Sequence, residues 1–223
     1  ETLSDGNTIV EDIDETGGVA INIFGDVAFH GDVVDPGAGT DTVRAVFTQD
    51  GLVAKEGDIL TNRTFNEKKK KVKVGISNFN VVAFHGKIEI EVEDGLGDTE
   101  EFSAVFTSDG QTTQVAVREG DTLTDDNTVE SIDETGGVAI NDFFNEVAFH
   151  GDVVDPGAGG DTKKAVFTSE GLIAKEGDTL ADGTTIVDDI DETGGVAINI
   201  FGDVAFHGDV GGPCAGNNTV CAM

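Results

Sequence analysis

Val27-Ala28-Phe29-His30-Gly31 returns as Val82–Gly86, as Val147–Gly151 and as Val204–Gly208, and it carries every histidine of the chain: His30, His85, His150 and His207. The copies recur at intervals of roughly 55–65 residues, a period that belongs to propellers, solenoids and arrays. The stretch therefore sets the frame into which every other segment has to fit.

Outward from the first copy, Val19-Ala20-Ile21-Asn22-Ile23-Phe24 is rich in strand formers, and Gly25-Asp26 joins it to Val27–Val33 as a hairpin. Upstream, Thr8–Asp14 is apolar in a pattern that only partly alternates, and Glu15-Thr16-Gly17-Gly18 punctuates it. Downstream come the loop Asp35-Pro36-Gly37-Ala38-Gly39, a strand at Arg44–Thr48, the turn Gln49-Asp50-Gly51 and a strand at Leu52–Lys55. The unit reads as about four short antiparallel strands with a leading segment and no helical periodicity.

Four such units follow one another, at about 1–58, 59–120, 121–178 and 179–223. The second replaces the acidic leader with Asn62–Lys73, which holds Lys68, Lys69, Lys70, Lys71 and Lys73, and its Lys87–Glu93 alternates apolar with charged residues. The third carries one extra residue in its Asp142–Glu146 turn. In the fourth, Thr185–Val210 repeats Thr8–Val33 with one change, Glu11 becoming Asp188, and the final strand, equivalent to Gly51–Lys55, is missing.

Forty-four acidic residues against thirteen basic ones give a formal charge of −31, which repels nucleic acid and anionic membrane surfaces. Trp and Tyr are absent, which removes the usual stacking platforms for bases and sugars. No apolar run of about eighteen residues exists to span a membrane. Cys214 and Cys221 are the only cysteines, seven positions apart. Their setting fits a terminal disulfide better than a metal site or free thiols, and a disulfide places the protein outside the cytoplasm. A start on Glu1 is compatible with a removed signal peptide.

Two units carry Asn-x-x-Gly-x-x-Ala-Phe, as Asn22, Gly25, Ala28, Phe29 and as Asn199, Gly202, Ala205, Phe206. Ala54-Lys55-Glu56-Gly57-Asp58 and Ala174–Asp178 follow, with Val117–Asp121 as a variant. In these features the chain resembles the NxxGxxAF tandem-repeat family of bacterial secreted and cell-surface proteins. The resemblance implies propeller-like β repeats and an extracellular location, and it implies no chemistry. The second unit departs from it at Ser77 and Asn80, and the third by its insertion.

The expected fold is all-β: tandem four-stranded antiparallel repeats forming a small four-bladed β-propeller, with an open β-repeat array completed by a strand from a neighbouring subunit as the alternative. A unit short of one strand can accept a strand from a second molecule, and head-to-tail repetition of that exchange makes a fibre. Lys68–Lys71 and Lys73 would dock the acidic face of a sister subunit, against the plainer reading of a solvated lysine-rich hairpin. Four equivalent histidines could ring a metal, although repeat position alone accounts for them. Asp12, Asp14 and Glu15, recurring as Asp189, Asp191 and Glu192 beside Gly-Gly turns, would suit calcium, against solvated acidic turns; no other cofactor is expected. No elbow, P-loop or metalloprotease motif occurs, and every group able to do acid–base work is present in several copies, whereas an active site converges unlike groups at one place. The expected role is that of a non-catalytic extracellular subunit of a filament or surface layer whose partners are copies of itself. The alternative is a secreted propeller that binds a glycan, a small ligand or a calcium-dependent protein.

Overall fold

The protein is described from a computed structural model, which covers residues 2–3, 6, 8–13, 18–34, 42–60, 63–66, 72–91, 98–155 and 160–212. Among them every regular element is a strand and every strand pairing is antiparallel, as expected of an all-β chain. The first sheet holds β1 (Ile9–Ile13), β2 (Val19–Ile21), β3 (Val27–Val34), β4 (Thr42–Thr48) and β5 (Gly51–Lys55). β3, which begins with VAFHG, is its spine. β2 pairs with the first half of the spine, Val19 opposite Phe29, and β1 with the second half, Ile13 opposite Gly31. β1 and β2 thus form one edge strand in two pieces, and β4 and β5 complete the sheet on the other side.

The second sheet repeats the plan with β6 (Ile59–Leu60), β7 (Arg63–Asn66), β8 (Val74–Ile76), β9 (Val82–Glu91), β10 (Thr99–Ser108) and β11 (Thr113–Arg118). The third does so with β12 (Val129–Ile132), β13 (Val138–Ile140), β14 (Val147–Asp155), β15 (Asp161–Thr168) and β16 (Leu172–Lys175). In the fourth, β17 (Ile186–Ile190) and β18 (Val196–Ile198) flank a spine divided at His207 into β19 (Val204–Phe206) and β20 (Gly208–Gly211). Residues 213–223 lie outside the described part, and with them Cys214 and Cys221.

The partial alternation of the leader has a local cause. The pairing with the spine slips by one residue between Val10 and Asp12, between Val129 and Ser131, and between Val187 and Asp189, a bulge that resets which side each residue faces. The bulge also explains the glycine that ends VAFHG. A Cβ on Gly31, Gly151 or Gly208 would collide with the carbonyl oxygen of Asp12, Ser131 or Asp189 respectively. In the second sheet the leader pairs without a slip, and the Phe65 ring occupies the space beside Gly86 instead.

The turn between β2 and β3 is tied by its asparagine. Asn22 Oδ1 accepts from the amides of Phe24 and Asp26 while its Nδ2 donates to Asp26 Oδ2. Asn199 does the same with Phe201 and Asp203. Ser77 stands in with one oxygen that accepts from Phe79 and Val81. Residues Gly25 and Gly202 take positive φ here, and Asn80 and Asn145 replace them at φ 61° and 53°, the left-handed region that asparagine tolerates.

Successive sheets stack face to face, and their packing supplies the core. Ala28, Val46 and Ala54 of the first sheet share a cluster with Phe65, Val74, Phe84 and Phe106 of the second. Ala83, Val105 and Val117 of the second share one with Val138, Ile140, Phe149 and Phe167 of the third, and Val166 of the third joins Val187 and Ile190 of the fourth. Each unit therefore has a leading face, turned to the unit before it, and a trailing face, turned to the unit after. The Glu-Gly-Asp element joins the units covalently. Lys55 N donates to Asp58 Oδ2, and the Gly57 amide and Asp58 carbonyl then bracket Phe65 of the next leader with two backbone hydrogen bonds. Gly120 and Asp121 bracket Val129, and Gly177 and Asp178 bracket Val187, in the same way.

The contacts between inner strands run β2 to β8 to β13 to β18. No closed barrel or ring is formed by the described residues: the first unit's leading strand stays open to solvent, with Val19 60% and Ile21 69% exposed.

Candidate functional site at the ends of the stack

The joints between units show what the two free ends are built to do. On the trailing face, the small side chain of Ala28, Ala83 or Ala148 and the imidazole two residues on lie side by side, because alternate residues of a strand share a face. All six side chains are buried in units one to three, with His30, His85 and His150 each at 0% exposure. Histidine and phenylalanine do fall on opposite faces of the spine, and both faces are core because each sheet is covered on both sides. In the second and third units the acidic leader of the following unit closes over the histidine. Asp133 and the Glu134 backbone approach His85, and Asp191 of the fourth unit approaches His150.

Burial dominates the electrostatics of these rings. Desolvation lowers the His85 pKa to about 4, against a smaller opposing pull from Asp133. Neither ring nitrogen of His85 meets full hydrogen-bond geometry with a described partner, although the Glu134 backbone lies close enough to favour the charged form slightly. His150 Nδ1 lies 2.8 Å from the Gly136 carbonyl, and burial lowers its pKa as well. His207 differs: its side chain is 69% exposed and its Nδ1 lies 3.1 Å from Asp191 Oδ2 within the same unit.

Polar links also cross the joints. Lys164 Nζ donates to Asp189 Oδ1 at 2.9 Å between the third and fourth units, and both side chains are more than a third exposed, so the pair contributes under about 1 kcal/mol. Ser103 Oγ donates to Glu134 Oε1 between the second and third. At the turn tips Asn22 Nδ2 donates to the Ser77 carbonyl and to Asn80 Oδ1, and Asn78 donates through its amide and Nδ2 to Asp142. The same tips line up exposed rings: Phe24, Phe79, Phe143, Phe144 and Phe201 are each 65% exposed or more, and Phe79 meets Phe143 edge to face at 6.4 Å.

The carboxylates singled out for calcium are engaged with the protein. Asp12 Oδ1 accepts from the Ile13 amide, and Asp14 and Glu15 lie outside the described residues. Asp189 takes Lys164, Asp191 takes the Thr193 amide and hydroxyl as well as His207, and burial beside Asp133 and Asp152 raises the pKa of Glu192. Among the described residues no three His, Cys, Asp or Glu side chains gather in a way that could hold a metal ion. Lys68–Lys71 lie outside the described residues too, and the Lys73 stem rests beside Gly18 of the first unit, within the same chain. Sequence reading missed the end faces altogether. The signal was present: the positions of Val19 and Ile21 recur in every unit, and among the described residues only the first unit's copy of this face lies against no other sheet.

The end faces are mirror deficits of one joint. The leading face of unit one exposes Val19 and Ile21 at 60% and 69%, where the third unit's Val138 and Ile140 are at 7% and 8%. Ile13 is 45% exposed, while its equivalents Ile132 and Ile190 in the third and fourth leaders are buried. Burying one such side chain is worth on the order of 1–2 kcal/mol. On the trailing face of unit four, Ala205 and His207 are exposed and flank an open groove of about 280 Å³ floored by Gly195, Val196, Ala197 and Phe206. In unit three the corresponding groove is filled: a Cβ on Gly136 would run into the Glu192 carbonyl, one on Gly137 would touch Gly195, and β18 lies against β13 and β14.

No curated protein and no solved structure matches the chain. The family described as Family of unknown function (DUF7453) matches residues 2–219, and with its stacked repeat sheets the chain belongs to that family.

Proposed function

We propose that this chain is a non-catalytic structural subunit that works by associating with copies of itself, as part of a filament or surface layer outside the cell. The observation that carries the reading is the apolar leading face of the first unit, Val19 and Ile21 at 60% and 69% exposure, positions that every later unit packs at least half-buried against a predecessor. A water-facing surface whose sequence is that of a buried joint is incomplete as a surface and complete as an interface. The extracytoplasmic location is supported by the expected Cys214–Cys221 disulfide and by the resemblance to NxxGxxAF repeat proteins. Of the two architectures expected, the exposure of both end faces favours the open array over a closed four-bladed propeller, since closure would bring Ala205 and His207 onto Val19 and Ile21 and cover them all. Sedimentation velocity over a concentration series, with negative-stain images of the same samples, tests the role: regular oligomers or polymers are expected, and a monodisperse monomer at every concentration would refute it.

One observation favours a second reading, a ligand-binding module. A cleft of about 360 Å³ opens between the first and second units beside Asp26, Asp50, Asn80, Asp109 and Gln111. Saturable binding of a cationic or polyhydroxylated ligand by a monomer, abolished by Asp50→Ala together with Asp109→Ala, would favour it.

A further inference from the structure

We infer that the partner of the first unit's leading face is the trailing face of the fourth unit in a second copy of this chain, joined as the third unit is joined to the fourth. The inference rests on the self-association reading and specifies its joint. Its basis is the internal precedent. Three joints within the chain have the same construction, and in each the Val-x-Ile strand of one unit lies over the inner strand and spine of the unit before it, β8 on β2 and β3, β13 on β8 and β9, β18 on β13 and β14.

The surfaces at the free ends are copies of surfaces whose partners are known. Thr8–Val33 and Thr185–Val210 differ only at Glu11 and Asp188, so the first unit's free leading face has the sequence that docks on the third unit's trailing face. The same identity makes Val196–Gly208 of the free trailing face equal to Val19–Gly31, whose alanine and histidine are covered by the second unit. The open groove of unit four, with His207 at its side, has the place that β18 fills in unit three. Because the two surfaces are different, the joint is heterologous, and repetition gives a ring or a fibre according to whether the rotation closes.

Docking removes His207 from water and leaves the other three imidazoles as they are. In the joint, Val19 and Ile21 of one copy lie over Ala197, Ala205 and His207 of the next. A charge placed on either face should break it, and both sites are exposed in the isolated chain, so Ile21→Glu and Ala205→Glu should fold normally.

The test combines these variants with the unaltered chain. The wild type is expected to assemble, each variant alone to be monomeric by sedimentation, and an equal mixture of the two to form a discrete dimer and nothing larger, since I21E keeps a sound trailing face and A205E a sound leading face. Diethyl pyrocarbonate, read by peptide mass spectrometry, should modify His207 in the monomeric variants and at least tenfold less in the wild-type assembly. If both variants assemble like the wild type, another surface mediates association: the joint is wrong and the self-association reading stands. Assembly by A205E but not by I21E would mean that leading faces pair with each other, which also overturns the joint. A wild type that stays monomeric with His207 reactive refutes both readings, and one that stays monomeric with His207 protected shows the chain closing on itself.

Discussion

At the scale of single residues, the unit is decided by the histidine and glycine of VAFHG. His85 is fully buried with its pKa lowered to about 4, while in an unfolded chain it titrates near the ordinary imidazole value of 6.5. Between those values the unfolded state takes up a proton that the folded state refuses, so stability falls as pH drops from 6.5 to 4, by about 3 kcal/mol from this group. His150, depressed by burial in the same direction, steepens the loss. Urea midpoints measured across this window should fall with acidification, and His85→Gln should flatten the slope even if it lowers overall stability. Asp182, held at about 2 by the Thr184 and Thr185 amides and the Thr185 hydroxyl, acts in a lower window, its contribution being lost between 3.8 and 2. The glycine answers to sterics. Gly151→Ala would drive a methyl group into the Ser131 carbonyl, and an overpacked site of this kind costs about 2–3 kcal/mol, visible as a melting temperature lower by several degrees.

At the scale of elements, the strands were legible because valine, isoleucine and phenylalanine clusters stand between Gly-Asp and Asp-Gly turns. The hairpin over Val19–Val33 and the strands near Arg44–Thr48 and Leu52–Lys55 are found within a few residues of where the sequence puts them. The leader was not legible as a strand, since the bulge at Val10–Asp12 breaks its alternation. The burial of the histidines was not legible either, because a strand pattern shows that Phe and His point apart without showing that both directions lead into core. The Lys-Glu-Gly-Asp hinge looked like a turn and is a clamp between units. Asp178→Ala should remove the acceptor of the Lys175 amide and the ion pair at 3.2 Å, costing about 1–2 kcal/mol. Hydrogen exchange should then quicken at Val187, whose amide donates to the Asp178 carbonyl, well before it quickens in β14.

At the scale of the whole molecule, charge opposes any association of copies carrying −31 each. The screening length is about 10 Å at 0.1 M salt, so raising sodium chloride from about 10 mM to about 300 mM should lower the concentration at which assembly begins. The opposite trend, with salt dissolving the assembly, would mean that the lysine-rich second unit and acidic leaders hold the copies together. The matched Glu-Gly-Asp clamps have a further consequence for heredity. A gene that encodes nearly the same twenty-odd residues twice, as Thr8–Val33 and Thr185–Val210, is prone to recombine with itself, and because the two copies lie three units apart, one exchange adds three units at once and makes only joints that the chain already contains. The length of the protein is thus a variable that mutation can adjust in whole steps, without redesigning a single contact.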